Sequence, residues 1–169
     1  CGYIIGKAAS IYNGQHATLT QSFGPEARGS ACSAQVVVSD SRVLYPYVTA
    51  PKILLAMSHD GYMTHKDKVA EDCIYLYEKD LVKLQKHGPK TTEFGIPATR
   101  IAEDLGRKIV LNIVMLGFFA AVTDVVPHEA VRKAVETSVP SGTEELNLKA
   151  FDSGYEYGMK LIGKAEMKV

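Results

Sequence analysis

Cysteine is scarce in this sequence: Cys1, Cys32 and Cys73 are the only thiols among 169 residues. They stand far apart, without the close spacing that a zinc or iron-sulfur site requires, and an odd number argues against a disulfide framework. A reducing, cytoplasmic compartment is expected. Net charge is missing too, because 19 Lys and Arg balance 19 Asp and Glu. No overall field draws such a chain to nucleic acid or to an anionic membrane, so an anionic ligand must be recognised locally. The chain also has no long hydrophobic run. Its most apolar stretch, residues 109–122, falls short of the roughly 20 residues of a membrane span, and it carries Asn112 and Gly117. A buried helix is expected there. No signal-peptide pattern, repeat, low-complexity tract or linker stands out, and the length suits one domain over residues 1–169. The sequence opens on Cys1, inside helical periodicity, so further residues are expected before it. His16, His59, His65, His87 and His128 show no ligand spacing and receive no catalytic role. Ser22 lacks the flanking glycines of a nucleophile elbow, which argues against a serine hydrolase.

What is present is a polar stretch at residues 18–30 that joins a strand pattern, a Gly-Pro turn and a carboxylate-guanidinium pair. Gly24 and Pro25 define the turn, since proline pre-sets its own φ and glycine tolerates conformations closed to other residues. Glu26 and Arg28 follow on the same loop. A guanidinium held there offers a rigid fork of donors for a carboxylate or phosphate, and the neighbouring Glu26 can orient it. Spacing alone equally serves a surface ion pair. Thr18, Thr20 and Ser22 fall on one face of a strand by its period of two, with Gln21 on the other. Their hydroxyls can line a binding edge or simply suit a half-exposed strand.

Along the chain, residues 1–12 read as a helix stopped by Asn13-Gly14. Residues 16–22 and 31–39 read as strands flanking the loop, and 42–45 as a short further strand before Pro46 and Pro51. The apolar run 53–57 predicts a strand covered on both faces, 58–70 a helix around Tyr62, Met63 and Val69, and 73–77 another strand. A strand ending at Pro97 precedes a helix over 98–105, stopped at Gly106. Pro127 is placed at the first position of a helix ending near 139–140. Ser141 with Glu144 predicts a capping box for a last helix running to Lys164, its middle weakened by Gly154 and Gly158. The fold class is α/β: a three-layer α/β/α Rossmann-like domain with a mostly parallel sheet and an α-rich C-terminal part. Ligands of such sheets bind beyond the carboxyl ends of the strands, and the loop at 23–30 is expected at such an edge.

Gln21-Ser22-Phe23-Gly24-Pro25-Glu26-Ala27-Arg28-Gly29 resembles the signature of the gamma subunit of 2-oxoacid:ferredoxin oxidoreductases. Tyr45-Pro46-Tyr47, Gly95-Ile96-Pro97-Ala98-Thr99, the stretch 109–117 and Asn147-Leu148-Lys149-Ala150-Phe151 are similar to later segments of that family. The resemblance covers essentially the whole chain. One departure is that family members begin with a strand and a Gly-Gly-Gln-Gly type turn, whose amides at a helix N-terminus suit a phosphate. That strand and turn are absent from these 169 residues.

The resemblance implies a gamma-type catalytic domain, active only within a complex, in the oxidative decarboxylation of a 2-oxoacid to an acyl-CoA with electrons passed to ferredoxin. It implies alpha and beta partners and a possible delta, ferredoxin-like subunit. Thiamine diphosphate, magnesium and iron-sulfur clusters then reside on those partners, and this chain binds no cofactor alone. Its part is assembly and the positioning of coenzyme A, with Thr18, Thr20, Gln21, Ser22, Gly24, Pro25, Glu26, Arg28 and Gly29 as coenzyme A or interface residues. A free-standing nucleotide or acyl-CoA module and a purely structural subunit stay open as alternatives. No nucleic acid or membrane partner is expected.

Overall fold

Apolar residues that alternate along three short strands sort the molecule into layers. The computed structural model describes residues 1–24 and 32–166, with side chains to residue 163. Strands β3 (Ile53–Ala56), β4 (Ile74–Glu78) and β5 (Thr92–Ile96) form a parallel sheet in the order β3-β4-β5. Ile53 pairs with Ile74, and Ile74 with Thr92. Ile53, Leu55, Ile74, Leu76, Phe94 and Ile96 point to one side, into the main core. Leu54, Ala56, Tyr75 and Tyr77 point to the other, into a smaller cluster with Tyr62, Cys73 and Val82. A strand's period of two makes this division.

Helix α2 (His59–His65) crosses from β3 to β4 on the small-cluster side, giving the βαβ unit expected from the sequence. It is capped by Ser58, whose Oγ accepts the Gly61 amide at 3.2 Å. The helix is shorter than the expected 58–70: residues 66–68 tighten into a 3₁₀ turn and Val69 is extended. The opposite layer holds α4 (Leu111–Val122) and α6 (Glu144–Glu166), with α3 (Ala98–Asp104) and α5 (His128–Glu136) beside them. Nine of the twelve residues of α4 are buried, as a short helix with Asn112 as its one polar residue requires. No helix among the described residues is long and apolar enough to cross a membrane.

Helices α4 and α6 approach so closely that their glycines are obligatory. A Cβ on Gly117 would lie 1.9 Å from the Phe151 carbonyl oxygen, and one on Gly154 would lie 2.0 Å from that of Val114. On Gly158 it would meet the Ala121 Cβ at 2.5 Å. Gly154 and Gly158, expected to weaken the last helix, instead let it lie against α4.

The opening helix α1 (Gly2–Lys7) continues as π-helical turns through Ala8–Tyr12 and stops at Gly14, where φ is +70°. It packs on a separate two-stranded antiparallel sheet, β1 (His16–Phe23) with β2 (Cys32–Ser39). Residues 42–45 do not form the expected strand. Pro46 has no N–H for a ladder, and the segment attaches instead through the Val48 amide, which donates to Gln35 Oε1 at 3.1 Å. Pro127 precedes its helix rather than opening it, because its ψ of 141° is extended. That helix ends at Glu136, not 139–140, with Thr137 capping through its own hydroxyl to the Lys133 carbonyl. The expected Ser141–Glu144 box is replaced by Thr143, which takes the Asn147 side-chain amide on both its carbonyl and its hydroxyl oxygen. Gly142, at φ +84°, places the turn there.

Candidate functional site

The polar segment singled out in the sequence belongs to a hairpin, not to the parallel sheet. Thr18 pairs with Val37, Thr20 with Gln35 and Ser22 with Ser33, all on one face, while Gln21 sits opposite Ala34 on the other. The segment after Phe23 therefore connects antiparallel neighbours. Its flanking strands form a sheet of their own, and the loop expected beyond the carboxyl end of a parallel strand falls at residues that lie outside the described ones. Gly24 is described at the hairpin's far end; Pro25, Glu26, Arg28 and Gly29 lie outside the described residues. The structure thus brings Thr18, Thr20 and Ser22 onto one face. Thr20 is partly buried and Ser22 is exposed. Thr18 Oγ1 is buried with no hydrogen-bond partner.

On the α1 side of the hairpin lies a shallow cleft of about 250 Å³, lined by Tyr3, Gly6, Lys7, Ser10, Ile11, Ala17, Thr18 and Leu19. Its polar groups are largely committed elsewhere: Lys7 Nζ donates to the Thr137 carbonyl at 2.9 Å and to Ser138 at 3.0 Å, and Ser10 Oγ donates to the Gly6 carbonyl at 2.9 Å. The cleft's lining is mostly apolar, a poor receptacle for a phosphate.

At the carboxyl edge of the parallel sheet, where α/β proteins present amides to anionic ligands, this chain places its own carboxylate. Glu78 closes β4 and is wholly buried. Its Oε2 accepts the Asp80 and Leu81 amides at 2.8 and 2.6 Å, and its Oε1 accepts the Thr99 amide at 3.2 Å. One side chain thereby satisfies the turn after β4 and the first turn of α3, and those three donors are unavailable to a ligand. Outside it, Arg100 forms a bidentate pair with Asp80. Periodicity along the chain carried no sign of Glu78, since an acidic residue ending a strand reads as solvent-facing.

A second polar chain, running from buried Tyr62 out to exposed Glu93, was also invisible in sequence. Tyr62 Oη lies 2.8 Å from His87 Nε2 and accepts the Gln85 amide at 3.0 Å, while His87 Nδ1 lies 2.6 Å from Glu93 Oε1. The His87 ring stacks on Tyr75 at 3.9 Å with a 14° interplanar angle. Every group is satisfied if Nδ1 carries the proton to Glu93 and Nε2 accepts from Tyr62. This arrangement fastens the helix-free crossover between β4 and β5 to the sheet. It lies at the amino end of β4 and β5, since Tyr75 and Glu93 are paired second residues of their strands. Nearby, burial pushes the Cys73 thiol up to about 11 and the Tyr75 phenol up to about 12.

The three thiols do not converge. Cys73 is buried beside β4, Cys1 Sγ donates to the Asn112 carbonyl at 3.3 Å, and Cys32 is exposed at the start of β2. Among the described residues no three His, Cys, Asp or Glu side chains gather as a metal site. The residues present do not fit an iron-sulfur cluster.

These features define a three-layer α/β protein with a parallel sheet, an appended polar hairpin, and no gathered set of redox ligands among its described residues. The pyruvate ferredoxin/flavodoxin oxidoreductase family model matches residues 1–157, and the chain belongs to that family. It is 44% identical over 162 residues to the 2-oxoglutarate synthase subunit KorC of Methanocaldococcus jannaschii, covering 95% of this chain and 87% of that one. Ketoisovalerate oxidoreductase subunit VorA of Methanothermobacter thermautotrophicus is 30% identical over 91% of this chain, which spans 32% of that longer polypeptide. The crystal structure of a keto/oxoacid ferredoxin oxidoreductase gamma subunit from Geobacter sulfurreducens superposes with a TM-score of 0.79 at 37% identity, covering 94% of this chain and 89% of that one.

Proposed function

We propose that this chain is the gamma-type subunit of a multi-subunit 2-oxoacid:ferredoxin oxidoreductase. The assembled enzyme joins a 2-oxoacid and coenzyme A into an acyl-CoA, releases carbon dioxide and passes two electrons to ferredoxin. The observation that carries this reading is the near full-length match at 44% identity to a 2-oxoglutarate synthase subunit. That relative also makes 2-oxoglutarate the substrate of choice. Thiamine diphosphate, magnesium and the iron-sulfur clusters belong to the alpha, beta and ferredoxin-like partners, consistent with three thiols that do not converge. A cytoplasmic location follows from those partners. A free-standing nucleotide module is disfavoured by Glu78, whose carboxylate already takes the amides at the sheet's carboxyl edge.

Within the complex, the hairpin and the segment carrying Glu26 and Arg28 approach coenzyme A or a partner subunit. Arg28→Ala in the assembled enzyme is expected to raise the KM for coenzyme A at least ten-fold, as loss of a charge-assisted hydrogen bond worth about 1.5–3 kcal/mol implies. An unchanged KM together with intact assembly would remove Arg28 from both roles. The function itself is tested by co-expressing the chain with its partner subunits and assaying 2-oxoglutarate- and coenzyme A-dependent ferredoxin reduction. Full activity of the complex without this chain contradicts it, as does activity of this chain alone.

A further inference from the structure

Charge is unevenly distributed in this chain, and the uncharged part is the part left uncovered. Between Ala8 and Pro51 only Glu26, Arg28, Asp40 and Arg42 are charged, in a sequence holding 19 basic and 19 acidic residues. From Val43 to Pro51 there is no charge at all. The structure makes this stretch an irregular strap, tied by the Val48 amide to Gln35 Oε1. Gln35 pairs with Thr20, so the strap is fastened to the hydroxyl-bearing face of the hairpin, opposite the face carrying Leu19, Ala34 and Val36 that α1 covers.

The strap's large apolar side chains point outward. Leu44 is 85% exposed, Tyr45 62% and Tyr47 58%, with the two tyrosine rings 5.6 Å apart. Phe23, at the hairpin's far end, is 72% exposed. Together these four present on the order of 500 Å² of apolar and aromatic surface, the size of the largest patch on a typical monomer, about 300–600 Å², which is often functional. That is a large share of the about 800 Å² per partner that a stable interface buries. Depletion of charge with enrichment in Tyr and Phe is the composition of an interface centre rather than of a solvated loop.

We propose that the strap at residues 43–51, with the hydroxyl face of the hairpin beneath it, is the surface by which this chain docks permanently onto the larger catalytic polypeptide of its oxidoreductase. The inference rests on the proposed function. The occupant is argued from VorA, in which a region similar to 91% of this chain makes up only 32% of one polypeptide. A fold that exists elsewhere covalently joined to a larger companion meets it in fixed stoichiometry, and permanent interfaces are the apolar ones. The partner's face is accordingly uncharged and apolar, with polar groups placed for the tyrosine hydroxyls.

The test titrates the purified chain against the co-purified remaining subunits of the same enzyme. Tyr45→Glu with Tyr47→Glu is expected to weaken binding at least ten-fold while the thermal midpoint of the isolated chain stays unchanged; Leu44→Ser is a milder variant should the double one fold poorly. Ile109→Glu, at an equally exposed apolar residue that follows Arg107 and Lys108, is expected to leave binding within two-fold of the wild type. Strap variants that bind like the wild type overturn the assignment. Self-association of the wild type that the strap variants abolish also overturns it, by making a second copy the occupant. A wild-type chain that binds none of those subunits brings down the proposed function, and the docking surface with it.

Discussion

The two sides of the parallel sheet are built on different principles. Towards α4 and α6 the chain buries aliphatic residues and phenylalanines, and brings two helices to backbone contact through Gly117 and Gly154, with Gly158 against the side chains of α4. Towards α2 it buries tyrosines, a thiol and a histidine, held by hydrogen bonds of fixed geometry. The first side tolerates no added atom. The second tolerates no lost partner. Dispersion and hydrophobic burial are spread over many contacts, so the α4–α6 side fails through volume, whereas a buried polar chain fails through a single unsatisfied group.

The largest expected effect comes from adding one methyl where the helices touch. Gly154→Ala places a carbon about 2.0 Å from the Val114 carbonyl oxygen, backbone against backbone, so no side-chain rotation relieves it. The helices must separate. A destabilisation of about 3 kcal/mol or more is expected, at the top of the overpacking range, despite alanine's better helix propensity of about 1 kcal/mol. Gly163→Ala, on the same helix with nothing within 4 Å, is expected to gain up to about 1 kcal/mol. Urea midpoints of the two variants decide the matter. If both shift the same way, propensity and not packing governs these glycines.

Much of the framework was legible in the sequence because period and punctuation carry it. The compact apolar run at 53–57, the brief strand pattern at 73–77, the apolar run of α4, and the stop at Gly14 each leave a local trace. The same is true of the family resemblance, which rests on contiguous segments. What escaped depends on distance in space. Gly154 and Gly158 read as helix weaknesses until the other helix is present. His87, Tyr62 and Glu93 lie on three separate elements, and Glu78 caps amides that include one 21 residues away. The hairpin strands were legible, but their antiparallel pairing was not, because the partner of each strand is set by contacts across the sheet. Residues 42–45 looked like a short strand because Val43, Leu44 and Tyr45 have strand propensity, which Pro46 and the Gln35 attachment overrule.

A smaller and more local effect is expected on the α2 side. Tyr62→Phe keeps the ring and removes the oxygen that accepts the Gln85 amide and joins His87. Two part-buried polar groups, the Gln85 amide and the His87 ring, lose their partner, for a loss of about 1–3 kcal/mol. The loss should appear as faster amide exchange in the crossover 79–91, with α4 and α6 keeping their protection. Exchange that accelerates equally throughout would show that the two sides of the sheet unfold as one unit, and the contrast between them would be one of composition only.

The smallest effect is a difference in pH response. Cys73, pushed up to about 11, and Tyr75, pushed up to about 12, both belong to the α2 side, and burial is the first cause in each. Their neutral forms are the folded ones. Below the pH at which an unfolded thiol or phenol ionises, this preference contributes in full. As pH rises past the ordinary thiol range towards 11 and 12, the unfolded chain releases its protons first, and stability falls. Alkaline destabilisation should therefore begin near pH 9 and be reduced in Cys73→Ala, measured relative to that variant's own stability at pH 7. Thiol labelling at pH 7.5 supplies the kinetic side: exposed Cys32 should react freely, and buried Cys73 only as fast as the α2 side opens. Because that opening is local, Tyr62→Phe should speed Cys73 labelling while leaving Cys32 unchanged; equal acceleration of both thiols would tie the tyrosine to the global fold instead.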